Sequence, residues 1–119
     1  MPAKEDHVLK ANGNAGFALS LALTSQPNID WALIALFYAA MHYIEAYLAV
    51  QGQHLRSHET RDKVVARDKN LRKIFNEYAD LKYFGYVARY EPYQFKANDV
   101  TSSATPQFLT LKAHIASFL

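Results

Sequence analysis

Residues 29–51 read IDWALIALFYAAMHYIEAYLAVQ, and Gly52 follows. From Trp31 to Val50, twenty residues, Glu45 is the single formal charge. No alternation of apolar and polar residues favours a strand. A helix apolar nearly all round belongs either in a bilayer or at the centre of a bundle. Length alone permits a crossing, since about 20 residues span the hydrocarbon layer. His42 and Glu45 near mid-segment oppose it, because an acidic group at the bilayer centre costs about 2.5–3.5 kcal/mol on insertion scales. Much of the rest is alanine, which drives insertion weakly. The reading is an all-α protein, not in a membrane, built around this helix.

Working outward, Asn28 or Asp30 serves as N-cap and Gly52 as the C′ residue. Gln53–Ser57 is a short loop, with Ser57 capping a short, charged helix over His58–Asp68. Leu71, Ile74, Phe75, Tyr78, Leu81, Gly85 and Ala88 recur at spacings of three and four, which predicts a helix ending near Tyr90, before Pro92. Residues 91–104 are rich in Pro, Asn, Asp, Thr and Ser and read as a loop. Thr105-Pro106 then starts a last helix with Phe108, Leu111, Ile115 and Phe118 on one face. Upstream, a weaker pattern predicts a helix from Asp6 to Thr24, broken or kinked at Asn12-Gly13-Asn14. Ser25-Gln26-Pro27-Asn28 is the connector. The expectation is one domain over 1–119, an antiparallel bundle of four main helices plus one short helix.

A chain of 119 residues, half of them hydrophobic, can bury a core without staples. The absence of cysteine excludes disulfides and thiolate chemistry. A net charge of +2 is too small to imply nucleic-acid binding. Its distribution says more. Between His54 and Lys73 lie Arg56, Arg61, Lys63, Arg67, Lys69, Arg72 and Lys73, against Glu59, Asp62 and Asp68. That stretch is a solvated helix face or, less often, a phosphate-binding patch. No secretory signal is evident, and a cytoplasmic location is expected.

Tyr38, His42 and Glu45 lie at i, i+4 and i+7 and share one face of the central helix. Burial obliges them to find partners. Either they join a hydrogen-bond network with tyrosines and arginines of the later helix, or His42 and Glu45 do acid–base or ligand work in a pocket. Arg61 and Arg89 are the candidate partners for Glu45, and the cluster is expected to border a pocket. His54 and His58 form an H-x3-H pair; with His42 and Glu45 they make a metal site imaginable. Arg56, Arg61 and Arg89, near helix ends, either cap carbonyls or capture a phosphate or carboxylate. Tyr83, Phe84, Tyr86, Tyr90, Tyr93 and Phe95 exceed what a core needs and suggest an interface or stacking surface. There is no Gly-rich phosphate loop, G-x-S-x-G elbow or H-E-x-x-H motif; the sequence carries no strong catalytic signature and leaves any cofactor unknown.

Asp30-Trp31-Ala32-Leu33-Ile34, Tyr38-Ala39-Ala40-Met41-His42 and Glu45-Ala46-Tyr47-Leu48-Ala49, ending at Gly52, together resemble the central helix of HEPN-like proteins. His58 after the loop and Arg89-Tyr90 closing the next long helix match the same pattern, which covers about residues 28–119. The resemblance implies an antiparallel helical bundle that often forms a homodimer. It also implies links to RNA cleavage, nucleotide binding or toxin–antitoxin pairs with a partner protein. The family's ribonucleases carry an arginine and a histidine separated by four to six residues. None of His7, His42, His54, His58 and His114 follows an arginine at that spacing, so no catalytic residue carries over. The leading expectation is a dimeric binding or regulatory module, with RNA, a nucleotide or a partner protein as ligand. The alternatives are a divergent ribonuclease using His58 with Arg61 or Arg89, and a metal-binding bundle through His42, Glu45, His54 and His58.

Overall fold

A computed structural model describes residues 3–55 and 57–119. Arg56, one of the candidate anion-binding arginines, lies outside the described residues. The described residues form five helices of more than one turn and no strand. They are α1 (Lys4–Ser20), α2 (Gln26–Val50), α3 (His58–Arg67), α4 (Phe75–Tyr90) and α5 (Thr105–Ala116). A 3-10 turn at Leu71–Ile74 leads into α4. A single turn at Ala97–Asp99 and a π-helical stretch at Val100–Ala104 lead into α5.

The central helix lies where its composition puts it. α2 packs against α1, α4 and α5, and Ala32, Leu33, Phe37, Ala39, Ala40, Ile44, Ala46 and Leu48 are fully buried. It is long and apolar enough to cross a membrane, yet 72% of its most apolar stretch is buried inside the fold. Its start differs from expectation. Ser25, not Asn28 or Asp30, is the N-cap: the Ser25 hydroxyl accepts from the Asn28 N–H at 3.4 Å, and Pro27 sits in the first turn. Pro27 lacks the N–H that would go unused there and is preset for helix. The end is as read. Gly52 has φ +75°, Gln53 N–H donates to Leu48 O at 2.8 Å and Gly52 N–H to Ala49 O at 3.0 Å. That double bond is a Schellman cap, and its left-handed residue favours glycine.

α1 runs unbroken through Asn12-Gly13-Asn14 and stops at Ser20 rather than Thr24. Its weak pattern has a physical cause: it turns Ala11, Ala15 and Ala18 inward, while Leu9, Phe17 and Leu19 are exposed. α3 begins as expected, with the Ser57 hydroxyl accepting from Thr60 N–H at 3.1 Å. Before α4, Asp68 Oδ1 accepts from the N–H groups of Asn70 and Leu71 at 2.8 and 3.1 Å, which tightens Leu71–Ile74 into a 3-10 turn. On the predicted stripe Leu71, Ile74, Tyr78, Leu81 and Gly85 are buried, but Phe75 is exposed and Ala88 is only partly covered. Gly85 is required by closeness: a Cβ there would meet the Phe37 Cβ at 3.0 Å and its ring at 3.2 Å.

The expected loop over 91–104 is corrected in its second half. Residues 97–104 are helical, because burial of Val100 and Ala104 outweighs the poor propensity of Asn, Asp, Thr and Ser. Thr105 is therefore inside a continuous helical path and is not an N-cap. Phe118 falls beyond the end of α5 and is partly exposed.

Candidate functional site

The buried length of α2 carries few polar tips, and most reach a different element. Tyr43 donates from its hydroxyl to Asn12 Oδ1 of α1 at 2.6 Å. Tyr47 donates to Asp68 at 3.0 Å and accepts from Asn70 at 3.1 Å. The predicted trio of Tyr38, His42 and Glu45 diverges in the same way. One face of the helix serves three neighbours rather than one pocket.

Glu45 meets α3. Arg61 Nε donates to Glu45 Oε1 at 2.7 Å, and both side chains are about 8% exposed. Of the two candidate arginines, Arg61 is therefore the partner. Its position follows from the short connection after Gly52, which returns α3 alongside the last turns of α2. Arg61 Nη1 stands 2.9 Å from His58 Nδ1. A guanidinium only donates, so His58 accepts there through an unprotonated Nδ1. The His58 ring lies against Phe37, centroids 6.2 Å apart. Next to Arg61, Asp62 accepts from the Tyr78 hydroxyl at 2.7 Å and pairs with Lys82. Burial, then the Asp62 hydrogen bond, raises the Tyr78 pKa far above its ordinary value. α3 is thus pinned to α2 through Arg61 and to α4 through Asp62.

Tyr38 meets α4. Arg89 Nη1 donates to the Tyr38 hydroxyl at 2.5 Å, and Arg89 Nε donates to Gly85 O at 3.2 Å. The guanidinium carbon sits 5.4 Å from the Tyr38 ring centre and 5.1 Å from that of Tyr90, within cation–π range of both. Tyr90 in turn lies 5.1 Å from Tyr86. Tyr38 also lines a shallow groove with Asn14, Phe17, Trp31, Ile34 and Ala35. Tyr86 lines another with Tyr83, Val87, Glu91, Pro92 and Tyr93. Two hollows are therefore joined by Tyr38, Arg89, Tyr90 and Tyr86, with the arginine in the middle. The Tyr38–Arg89 bond is a link of the kind expected between this face and the arginines of the later helix; the two hollows it joins are not legible in the sequence.

His42 meets α1, facing His7 Nδ1 to Nδ1 at 3.1 Å. Both rings have pKa values below the ordinary one, chiefly through burial, with the Glu45 carboxylate opposing the shift. His54 lies in the connection between α2 and α3. His42, Glu45, His54 and His58 do not converge: among the described residues, no three His, Asp or Glu side chains gather in a metal-holding geometry. The Glu45–Arg61 pair is packed in protein, and the two hollows just described do not include it.

His58 gives a pH prediction. Partial burial, then the positive charges of Arg61 and Lys82, holds its pKa below the ordinary 6.5. Above pH 6.5 both folded and unfolded chains are neutral at this residue, and stability does not depend on it. Below that value the unfolded chain takes a proton that the folded one resists, so stability falls. The melting temperature should drop between pH 7.5 and 5.5, and His58→Gln should drop less; equal slopes would refute the assignment. Comparison of the chain with protein-family models, with curated proteins and with solved structures gives no match.

Proposed function

We propose that this chain is a HEPN-like antiparallel bundle acting as a homodimeric binding or regulatory module for single-stranded RNA. The observation that carries the reading is the track of Tyr38, Arg89, Tyr90 and Tyr86. Single-stranded nucleic acid is held by aromatic faces that stack bases and by cations that meet the backbone. An arginine between two tyrosines supplies both on one surface. A regulatory role beside a partner protein, as in toxin–antitoxin pairs, fits such a module and a cytoplasmic setting. Dimerisation is supported by the outward Leu9, Phe17, Leu19 and Trp31, 74%, 49%, 66% and 55% exposed. A second copy of the chain would cover part of that apolar surface, beside the Tyr38 groove that Phe17 and Trp31 line.

The test is fluorescence anisotropy with a labelled single-stranded oligoribonucleotide at low and moderate salt. Binding should weaken as salt rises. Tyr90→Ala should weaken it about tenfold, within the roughly 1–3 kcal/mol of one stacked base, and Arg89→Ala by at least as much. Sedimentation in the same buffer should give about twice the 13.5 kDa chain mass. No binding at low salt, or binding indifferent to both substitutions, refutes the RNA reading; a monomer refutes the dimer.

A second reading is favoured by the 2.9 Å contact between His58 and Arg61. Arg61 is buried and holds the exposed His58 ring through Nδ1, which leaves the Nε2–H free to give a proton to RNA. In that case the RNA is shortened during the titration, and His58→Ala stops the cleavage without stopping binding.

A further inference from the structure

The contact between His7 of α1 and His42 of α2 is unlike the other polar links of the bundle. It joins two imidazoles to each other and no other group. The same ring nitrogen, Nδ1, points inward from both sides across 3.1 Å, with the ring centres 5.4 Å apart and the planes 32° from parallel. Both residues are half-buried.

Two imidazole nitrogens at that separation share either a proton or a cation. With metal–nitrogen bonds of about 2.0–2.1 Å, two ligands on one tetrahedral ion lie ~3.3 Å apart, and two adjacent ligands on an octahedral ion ~2.9 Å apart. The observed spacing lies between the two. Neutral rings are what a metal requires, because a protonated imidazole has no lone pair to give. Burial of both histidines favours the neutral forms. The Glu45 carboxylate acts on both rings and Asp6 on His7, adding negative charge where a cation would sit; Arg61 opposes this at both rings, Lys10 at His42 and His54 at His7.

We propose that His7 and His42 form a two-imidazole clamp for a divalent transition-metal ion of the zinc or nickel type, joining the first turn of α1 to the middle of α2. No third His, Asp or Glu among the described residues completes the set. The remaining positions therefore belong to water, and the site is open and exchangeable rather than a closed structural centre. Imidazole suits zinc, nickel and copper, and it disfavours magnesium and calcium, which prefer oxygen. The clamp does not depend on the RNA reading. Toward its start α1 meets α2 through the small Ala11 and Ala15 and the Tyr43–Asn12 bond, so an ion here would fasten its first turn.

The experiment is isothermal titration of the full, tag-free chain with Zn²⁺ and with Ni²⁺ in a non-chelating buffer, alongside thermal melts. One ion should bind per chain at pH 7.5, more weakly at pH 5.5 as protons compete, and Zn²⁺ should raise the melting temperature. His7→Ala and His42→Ala should each weaken binding by about tenfold or more, since one imidazole remains. His58→Gln and His114→Ala should leave it unchanged. His7 stands on the first turn of α1, so His7→Ala keeps the test valid even where His42→Ala folds poorly. Absence of binding at millimolar ion shows a shared proton instead and overturns the proposal. Binding that survives His7→Ala overturns it as well. Mg²⁺ binding as tightly as Zn²⁺ would do the same.

Discussion

Glu45→Ala should lower the stability of this protein by about 3–5 kcal/mol, because it leaves Arg61 charged and unpaired inside the bundle. The pair is a single 2.7 Å bond between side chains that are each about 8% exposed. Desolvating both ions already consumes much of their mutual attraction, so the pair itself adds little net stability. The loss appears when one partner goes. A domain of this size has about 5–15 kcal/mol in hand, so the variant loses a large share of its margin and should melt at a clearly lower temperature. Glu45→Gln, which keeps an acceptor for Arg61, should lose less. Glu45→Leu combined with Arg61→Met should recover most of the loss, since two apolar groups can replace a buried ion pair. Urea unfolding followed by circular dichroism measures all three. A loss under about 1 kcal/mol for Glu45→Ala would mean that water reaches the pair and that the carboxylate is free to serve a ligand.

Phe37→Ala should cost about 3–5 kcal/mol, the range for removing a large aromatic from a packed core. Phe37 is 0% exposed. Its ring meets those of Tyr38, His58 and Tyr78 at 5.7, 6.2 and 6.2 Å, and it closes on Gly85, 3.2 Å from where a Cβ would stand. The substitution therefore opens a hole between α2, α3 and α4 together. Gly85→Leu alone overfills the same place and should cost about 1–3 kcal/mol. Because the two changes share one space, the double variant should be more stable than the sum of the single losses predicts. Strict additivity in urea melts would show that α2 and α4 are not in contact there.

The core of this fold was readable because α2 advertises itself on both sides. Its apolar run has one charge, and Gly52 ends it by backbone chemistry that few other residues tolerate. Ser25 was missed because Ser, Gln, Pro and Asn resemble a connector; yet a serine two residues before a proline also fits a helix start. Val100 and Ala104 were missed because their neighbours have poor helix propensity, and packing overrode that preference. α1 was read weakly because its inward residues are alanines and its large apolar residues face out. That same inversion hid His7, whose pairing with His42 depends on the rotation of α1 about its axis. The link between Glu45 and Arg61 was narrowed to two arginines by charge and loop length. Choosing between them needed the crossing of α4 over α2, which places Arg89 at Tyr38.

The π-helical stretch at Val100–Ala104 also governs how this chain can change in length. A π-turn holds one residue more than the α-turn it replaces. Loss of one residue at Thr101 or Ser102, both exposed, lets the stretch relax to ordinary pitch with everything downstream still in phase. The same loss within Thr105–Ala116 turns the residues beyond it by about 100°, carrying whichever of Phe108, Leu111 and Ile115 follow it off the core. A single-residue deletion is therefore absorbed within Val100–Ala104 and ruinous between Ala104 and Ile115.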